Sequence, residues 1–275
     1  YAFSASLAKS FDFGLDMSAS YTFGRSKSVN DGTSSVAYSN WKYNYSRDTN
    51  SENELGFSKF DVPHRLMAQL SYTTPKYLNG WTSTTISVIY NGFSGSRYSL
   101  TMNEVSDFNG DGQKGNSLLY IPTEAEMDNM NFVDYTDQKT GKLIMSAADS
   151  RKAFTEWVNN DDYAKNHRGQ YAERNSNLSN WEHEIDLHLA QTIYNAQGLG
   201  KLEFTFDIIN FANMLNKKWG ASYSSAYNLS PLTVVSLSTD ENGNRNPGYA
   251  FNNAKINKSD ISSRWHAQVG IRLTF

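Results

Sequence analysis

The chain has 275 residues, 14% of them aromatic with 17 Tyr, a mean hydropathy of -0.61 and a formal net charge of -3. Its apolar mass sits in large amphipathic rings, no run approaches the roughly 18 to 20 continuous apolar residues of a membrane helix, and dispersed Lys and Arg near charge balance argue against a nucleic-acid partner. Zero cysteines exclude disulfides, Cys-ligated zinc and thiol catalysis, while the opening YAFSASLAKS lacks the features of a signal peptide, so the chain reads as mature or as cut from a longer one.

Residues 1 to 9 and 11 to 23 alternate, with Phe11, Phe13, Leu15, Met17, Ala19, Tyr21 and Phe23 opposed to Asp12, Asp16, Ser18, Ser20 and Thr22. Period two predicts strands with one oily and one wet side. The same pattern recurs at 64 to 73 (Leu66, Ala68, Leu70, Tyr72), 81 to 90 (Ile86, Val88, Tyr90), 181 to 193 (Trp181, Ile185, Leu187, Leu189) and 201 to 208 (Leu202, Phe204, Phe206, Ile208). The terminal RWHAQVGIRLTF sets Trp265, Ala267, Val269, Ile271, Leu273 and Phe275 against Arg264, His266, Gln268, Gly270, Arg272 and Thr274. These seven strands are close to or longer than the about 9 to 11 residues that cross a bilayer as tilted β-structure. A soluble sandwich, with strands of about 5 to 6 residues, fits them poorly.

Short connections (SFDFG, TPKYLNG, NAQGLG) alternate with long loops near 25–57, 102–180 and 214–260. Transmembrane barrels have short turns on the periplasmic side and long loops outside, which places Phe275 at the periplasmic end. Within 102–180, Thr123 and Glu126 after Pro122 read as a capping box, and Phe154, Trp157 and Val158 as a helical stripe.

Opposite the apolar side lie Glu184, Asp186, His188, Arg264, Gln268 and Arg272, with Asp12, Asp16, Arg65, Gln69, Lys201, Glu203 and Asp207. Unpaired charge in an apolar interior is prohibitive, so this lumen-facing side needs water or a polar plug. Seven strands cannot close such a lumen, and open edges in lipid cost several kcal/mol per unpaired group. The expected fold is therefore all-β: residues 1–275 form the C-terminal part of a larger transmembrane antiparallel β-barrel.

FDVPHRLMAQLSY, DFNGDGQKGNSLLYIP, NLSNWEHEIDLHLAQ, LEFTFDIINFANMLNKKWG and WHAQVGIRLTF, in this order, resemble the C-terminal barrel region of outer-membrane TonB-dependent transporters. The likeness is to the Bacteroidota type with a carboxypeptidase-regulatory-like N-terminal domain. It implies a barrel of about 22 strands around an N-terminal plug, of which these would be the last seven. It also implies a multi-pass protein of the bacterial outer membrane that imports a large solute (peptide, glycan or metal chelate) with energy from the TonB complex. The implied partners are outer-membrane lipids, the plug and remaining strands, a surface lipoprotein, and the barrel assembly machinery, which would read Trp265 and Phe275. The plug and TonB-contacting box, upstream in the family, are not in this sequence.

DFNGDG has the opening of a calcium loop, with Asp107, Asn109, Asp111 and Gln113 as candidate ligands and Gly112 at the turn. Leu118 stands where a bidentate Glu is wanted, and an Asx-rich turn satisfying its own backbone is the other reading. In HEIDLH, His183 and His188 are five apart and face opposite sides of a strand, unlike the zinc motif HExxH. GFSGS around Ser94 is not G-x-S-x-G, so no catalytic residue is assigned and an enzyme is not expected. A barrel enzyme, a porin and a surface adhesin or scaffold stand as alternatives. Loop aromatics (Tyr38, Trp41, Tyr43, Tyr45, Tyr120, Trp157, Tyr163, Tyr171) suit either ligand stacking or loop packing.

Overall fold

The computed structural model describes residues 1–104, 107–137, 139–194, 200–223 and 227–275. In chain order the principal strands are β1 (Ala2–Ser10), β2 (Leu15–Gly24), β3 (His64–Thr73), β4 (Thr82–Phe93), β5 (Arg97–Glu104), β6 (Asn177–Leu178), β7 (Glu182–Ile193), β8 (Lys201–Ile209), β9 (Asn228–Thr239), β10 (Arg245–Phe251) and β11 (His266–Thr274). The helices are α1 (Ala37–Lys42), α2 (Glu124–Asn129), α3 (Ala147–Asn160) and α4 (Phe211–Leu215). The seven alternating stretches form one seven-stranded sheet in the order β1-β2-β3-β4-β7-β8-β11, every pair antiparallel. Strands β1 and β11 are its edges, and the sheet does not close on itself.

Pairing register unites the separate alternations. Met17 stands opposite Leu70, Leu70 opposite Val88, Val88 opposite Leu187, Leu187 opposite Ile208 and Ile208 opposite Ala267, so one apolar row crosses six strands. A one-residue slip anywhere would turn a strand's apolar set to the other side. This face is uncovered: Leu7 is 77%, Val269 76% and Ile271 70% exposed. Apolar exposure on that scale marks a surface made for something other than water. The opposite face is lined by hydroxyl pairs across strands, Ser4 with Thr22 at 2.9 Å, Ser71 with Ser87 at 2.8 Å and Thr73 with Thr85 at 2.9 Å.

Two details differ from the sequence pattern. Residues 11–14 form a tight turn, with the Phe11 amide donating to Leu15 O at 2.8 Å, which removes Asp12 and Phe13 from the two faces. Gly14 has φ +95° there, and a Cβ on it would lie 2.2 Å from Thr73 O, so only glycine fits. At the other end Arg264 and Trp265 precede β11, and residues 195–199 of the NAQGLG turn lie outside the described residues.

The long connections build a second unit. Its four-stranded sheet runs β6-β5-β9-β10, with β5 and β9 parallel and the other pairs antiparallel. Here lies the hydrophobic core, in which Leu100, Leu119, Ile121, Phe154, Val158 and Leu232 are fully buried. The capping box is present, with Thr123 Oγ1 accepting from the Glu126 amide at 3.3 Å and the Glu126 carboxylate accepting from the Thr123 amide at 2.8 Å. Ser146 caps α3, whose Phe154 and Val158 face the core. The Arg151 guanidinium closes the C-terminus of α2 by donating to the carbonyls of Met127, Asp128 and Met130.

Candidate functional site

Two regions carry polar groups in built arrangements: the inner face of the large sheet and a cavity among the loops. On the inner face, register sets His188 opposite Asp207 and Asp207 opposite Gln268. His188 Nδ1 lies 2.5 Å from Asp207 Oδ1, and Gln268 Nε2 donates to Asp207 Oδ2 at 3.5 Å. Two same-face positions along β8, the Glu203 carboxylate sits 3.1 Å from Lys201 Nζ and 3.6 Å from an Arg272 nitrogen, and accepts from Thr192 Oγ1 at 3.2 Å. Asp186 accepts from the Asn210 amide at 2.8 Å, beside the half-buried Glu184. Arg264 lies outside this group and pairs with Asp260 at 2.6 Å. The inner face is thus charged but largely paired.

The loop cavity, of about 380 Å³, opens between the first long loop and parts of the other two. Asp31, Lys59, Tyr43, Tyr45, Arg174 and Tyr227 line it. The Asp31 carboxylate accepts from Ser28 Oγ at 2.8 Å, Ser58 Oγ at 2.7 Å and the Lys59 amide at 3.2 Å. Lys59 Nζ donates to Thr33 Oγ1 at 2.8 Å and stands 4.6 Å from the centre of the Tyr227 ring. Arg174 is buried, donates to Ser28 O, Val29 O and Asn44 Oδ1, and leaves its Nε without a partner. On the far side of Arg174 and Tyr45 lies a second hollow of about 320 Å³.

Burial pushes the Asp31 carboxyl up, but the Ser58 and Ser28 hydroxyls, the Lys59 amide and the Arg174 charge outweigh it and hold it below its ordinary value. Burial drives the Tyr45 phenol up to about 12, with the Tyr43 and Tyr227 phenols adding to it. A depressed carboxyl contributes stability that is complete above the unfolded pKa, about 3.9, and is lost as pH falls through the lower folded value. Hydrogen exchange of residues 26–59 should therefore accelerate as the pH drops below about 4, and Asp31→Asn should abolish that pH dependence. Exchange in the variant with the same acid profile would assign the effect elsewhere.

The outer membrane beta barrel domain model matches residues 1–246, most of the chain. The chain belongs to that family. No curated protein and no solved structure matches it. Among the described residues no helix is long and apolar enough to cross a membrane, which says nothing against strands that do.

Aromatic rings gather at both ends of the apolar face of this outer-membrane barrel domain, the arrangement of a barrel's aromatic girdles. At the long-loop end Tyr1, Phe23, His64, Trp181, His183 and Tyr90 follow one another with ring centroids 6.3, 5.3, 6.0, 5.9 and 6.1 Å apart. The Tyr21 and Tyr90 hydroxyls bond the Nδ1 atoms of His64 and His183 at 2.7 and 2.8 Å, giving each polar tip a partner. At the short-turn end stand Phe11 and Phe13, 5.4 Å apart, with exposed Tyr77 and Trp81. The nine residues of β1 span about 30 Å, or roughly 23 Å along the normal at a tilt near 40°, which matches a barrel's apolar band.

The outer-membrane barrel domain's remaining sequence candidates separate cleanly. In DFNGDG the Asp107 carboxylate accepts from the amides of Gly110 at 2.7 Å and Gly112 at 2.8 Å. Asp111 accepts from the Gln113 amide at 2.7 Å and from the side chains of Asn109 and Asn116. Gln113 Oε1 accepts from the Tyr38 hydroxyl at 2.7 Å. The oxygens of all three are thus taken up by donors within the loops, and among the described residues no group of three or more His, Asp or Glu gathers as a metal site. The geometry fits the self-satisfied turn. Asp111→Ala should then cost about 1 to 3 kcal/mol of loop stability by leaving the Asn116 side chain and the Gln113 amide without their acceptor, and protease protection in the parent should be unchanged by chelator. Loss of protection on chelation would instead establish calcium at Asp107, Asn109, Asp111 and Gln113.

His183 bonds Tyr90 on the apolar face and His188 bonds Asp207 on the inner one, so HEIDLH brings no two histidines together. Ser94 is buried and exchanges hydrogen bonds with the backbone of His64 rather than its ring. Of the loop aromatics, Tyr120 packs edge-on against Tyr171, Trp157 stacks on Phe154, Tyr163 on His167, and Tyr38 packs against Trp41. Only Tyr43 and Tyr45 reach the larger cavity, joined by Tyr227, which the sequence pattern did not single out.

Proposed function

We propose that this chain forms part of the wall of a larger, plugged barrel in the bacterial outer membrane, and that the barrel is a TonB-coupled transporter importing a peptide, glycan or metal chelate too large for a porin. The observation that carries the reading is the large sheet itself: one continuous apolar face, one face of paired charges and hydroxyls, and two edge strands with open ladders. Edges in lipid demand partner strands, because no water satisfies their backbone there. A wall of this polarity suits a polar plug, with which Glu203, Arg272, Asp207 and Gln268 could exchange their present partners. The loop unit, with its own core and a cavity of about 380 Å³, would make the first substrate contact, since binding surfaces concentrate on loops held by a rigid scaffold. Coupling to the TonB complex, a surface lipoprotein lid and delivery by the barrel assembly machinery through Trp265 and Phe275 rest on the resemblance of the five sequence segments. The reading assigns no catalytic chemistry.

The test is solute uptake in cells together with conductance in planar bilayers. Uptake should stop with a protonophore or without TonB, the intact protein should hold no steady open conductance, and residues 1–275 alone should give heat-labile material that neither closes nor conducts. Uptake indifferent to the protonophore, or a stable conducting monomer of residues 1–275, would favour a porin. Adhesion or hydrolysis without uptake would favour the adhesin or enzyme readings.

A further inference from the structure

A groove of about 300 Å³ lies on the apolar side of the large sheet at its long-loop end. Trp181, His183 and Ile185, from the outward row of β7 and the residue before it, form one wall, and Ala212, Lys218 and Trp219 after β8 form the other. The second wall is held in place from behind. Asn210 donates to Gly220 O at 2.8 Å and Ser263 O at 2.9 Å, and Asn213 donates to Trp219 O at 2.9 Å. Gly220, with φ +56°, has no room for a side chain against Asn210.

Its surroundings combine two chemistries. Leu215, Trp219 and Trp265 are exposed large apolar groups beside the aromatic girdle, at the level where rings sit between acyl chains and headgroups. Lys217, Lys218 and Lys258 are also exposed there, and Lys258 Nζ donates to Lys217 O, which draws the second lysine segment onto the first. Segments 210–223 and 251–259 contain no Asp or Glu, and of the acids beside them Glu182 accepts from the Tyr223 amide at 3.0 Å and Asp260 pairs with Arg264 at 2.6 Å, so none of the ion pairs among the described residues uses these lysines. In a chain of net charge -3, this is a lysine-rich corner on the apolar side of the sheet at its long-loop end.

We infer that this corner binds a phosphorylated acyl lipid of the outer leaflet, with an acyl chain in the groove between Trp181 and Trp219 and the phosphate against Lys217, Lys218 and Lys258. The apolar wall selects a lipid over a soluble anion, and the lysines select a phosphorylated headgroup over a neutral one. The inference stands apart from transport, since the groove lies outside the barrel wall. The full-length protein, washed free of native lipid in nonionic detergent, titrated with phosphorylated lipid A and read by native mass spectrometry, should take up one lipid at this corner. Lys217→Gln with Lys218→Gln should weaken that adduct roughly tenfold or more, as should use of the dephosphorylated lipid, while heat-modifiable migration shows the variant folded. Trp219→Ala should weaken it as well, and excess inorganic phosphate should leave it in place. Equal binding by the double variant, equal binding of the dephosphorylated lipid, or displacement by phosphate alone would overturn the assignment.

Discussion

Arg97→Ala should free the first long loop from the loop sheet. Arg97 and Asp61 form a buried ion pair at 2.8 Å, 4% and 2% exposed at their side chains. The guanidinium also donates to Asn175 O at 3.2 Å and Ser176 O at 3.1 Å and lies 3.9 Å from the centre of the Phe57 ring. Asp61 in turn accepts from the Ser26 amide at 2.7 Å. Desolvation lowers the Arg97 pKa, and the hydrogen bond and charge of Asp61 oppose that. Removing the cation alone leaves a buried carboxylate with one amide for company, which costs about 3 to 5 kcal/mol. Hydrogen exchange across residues 25–63 should rise by the corresponding factor while the large sheet stays protected. Replacing both partners with apolar residues of similar size (Arg97→Met with Asp61→Leu) should recover part of the loss, because an apolar pair avoids the desolvation of two charges, the remainder being the cost of leaving the Ser26 amide and the Asn175 and Ser176 carbonyls unpaired. A single variant with unchanged exchange would mean that Asn175 and Phe57 hold the loop without the ion pair.

Phe154→Ala should have an effect of similar size on the same unit by a different route. Its ring is fully buried, stacks on Trp157 with centroids 6.0 Å apart and planes 6° apart, and packs 6.1 Å from Phe132. Truncation removes that burial and leaves a cavity, costing about 3 to 5 kcal/mol. Stepwise thermal unfolding should show the loop unit melting earlier and the membrane sheet melting where it did before, since they have separate solvents. A uniform shift of both transitions would show that the two units fold as one.

The two units also differ in how far they can be read from sequence, for a physical reason. Each strand of the large sheet meets two different media, so period two survives in Met17, Ala19, Tyr21 and in Val269, Ile271, Leu273, and all seven strands are legible to within a few residues. In the loop sheet β5 is buried on both sides, and β9 contains Pro231 and a register shift between Leu229 and Leu232. With one environment on both faces there is no alternation to select. Helices α2 and α3 were legible because their signals are local: Thr123 with Glu126 lies within one turn, and Phe154, Trp157 and Val158 make a stripe of one helical face, whereas the Ser146 cap of α3 emerged only in the structure. The cavity was not, because Asp31, Lys59, Arg174 and Tyr227 meet across as many as 196 positions only through tertiary packing. The His188–Asp207 pair is intermediate, hidden in sequence but fixed once the β7–β8 register is known.

The membrane-wall reading requires the large sheet to have lipid on one side and an aqueous or plugged lumen on the other. The chain has no native cysteine, so single cysteines along β11 report each side without background. Val269→Cys and Ile271→Cys should react with a lipid-phase probe and resist a membrane-impermeant one, while Gln268→Cys and Arg272→Cys should do the reverse, as expected where charge at the bilayer midplane costs about 2 to 4 kcal/mol. Reversed reactivity, or equal aqueous labelling of all four positions, would contradict the membrane wall.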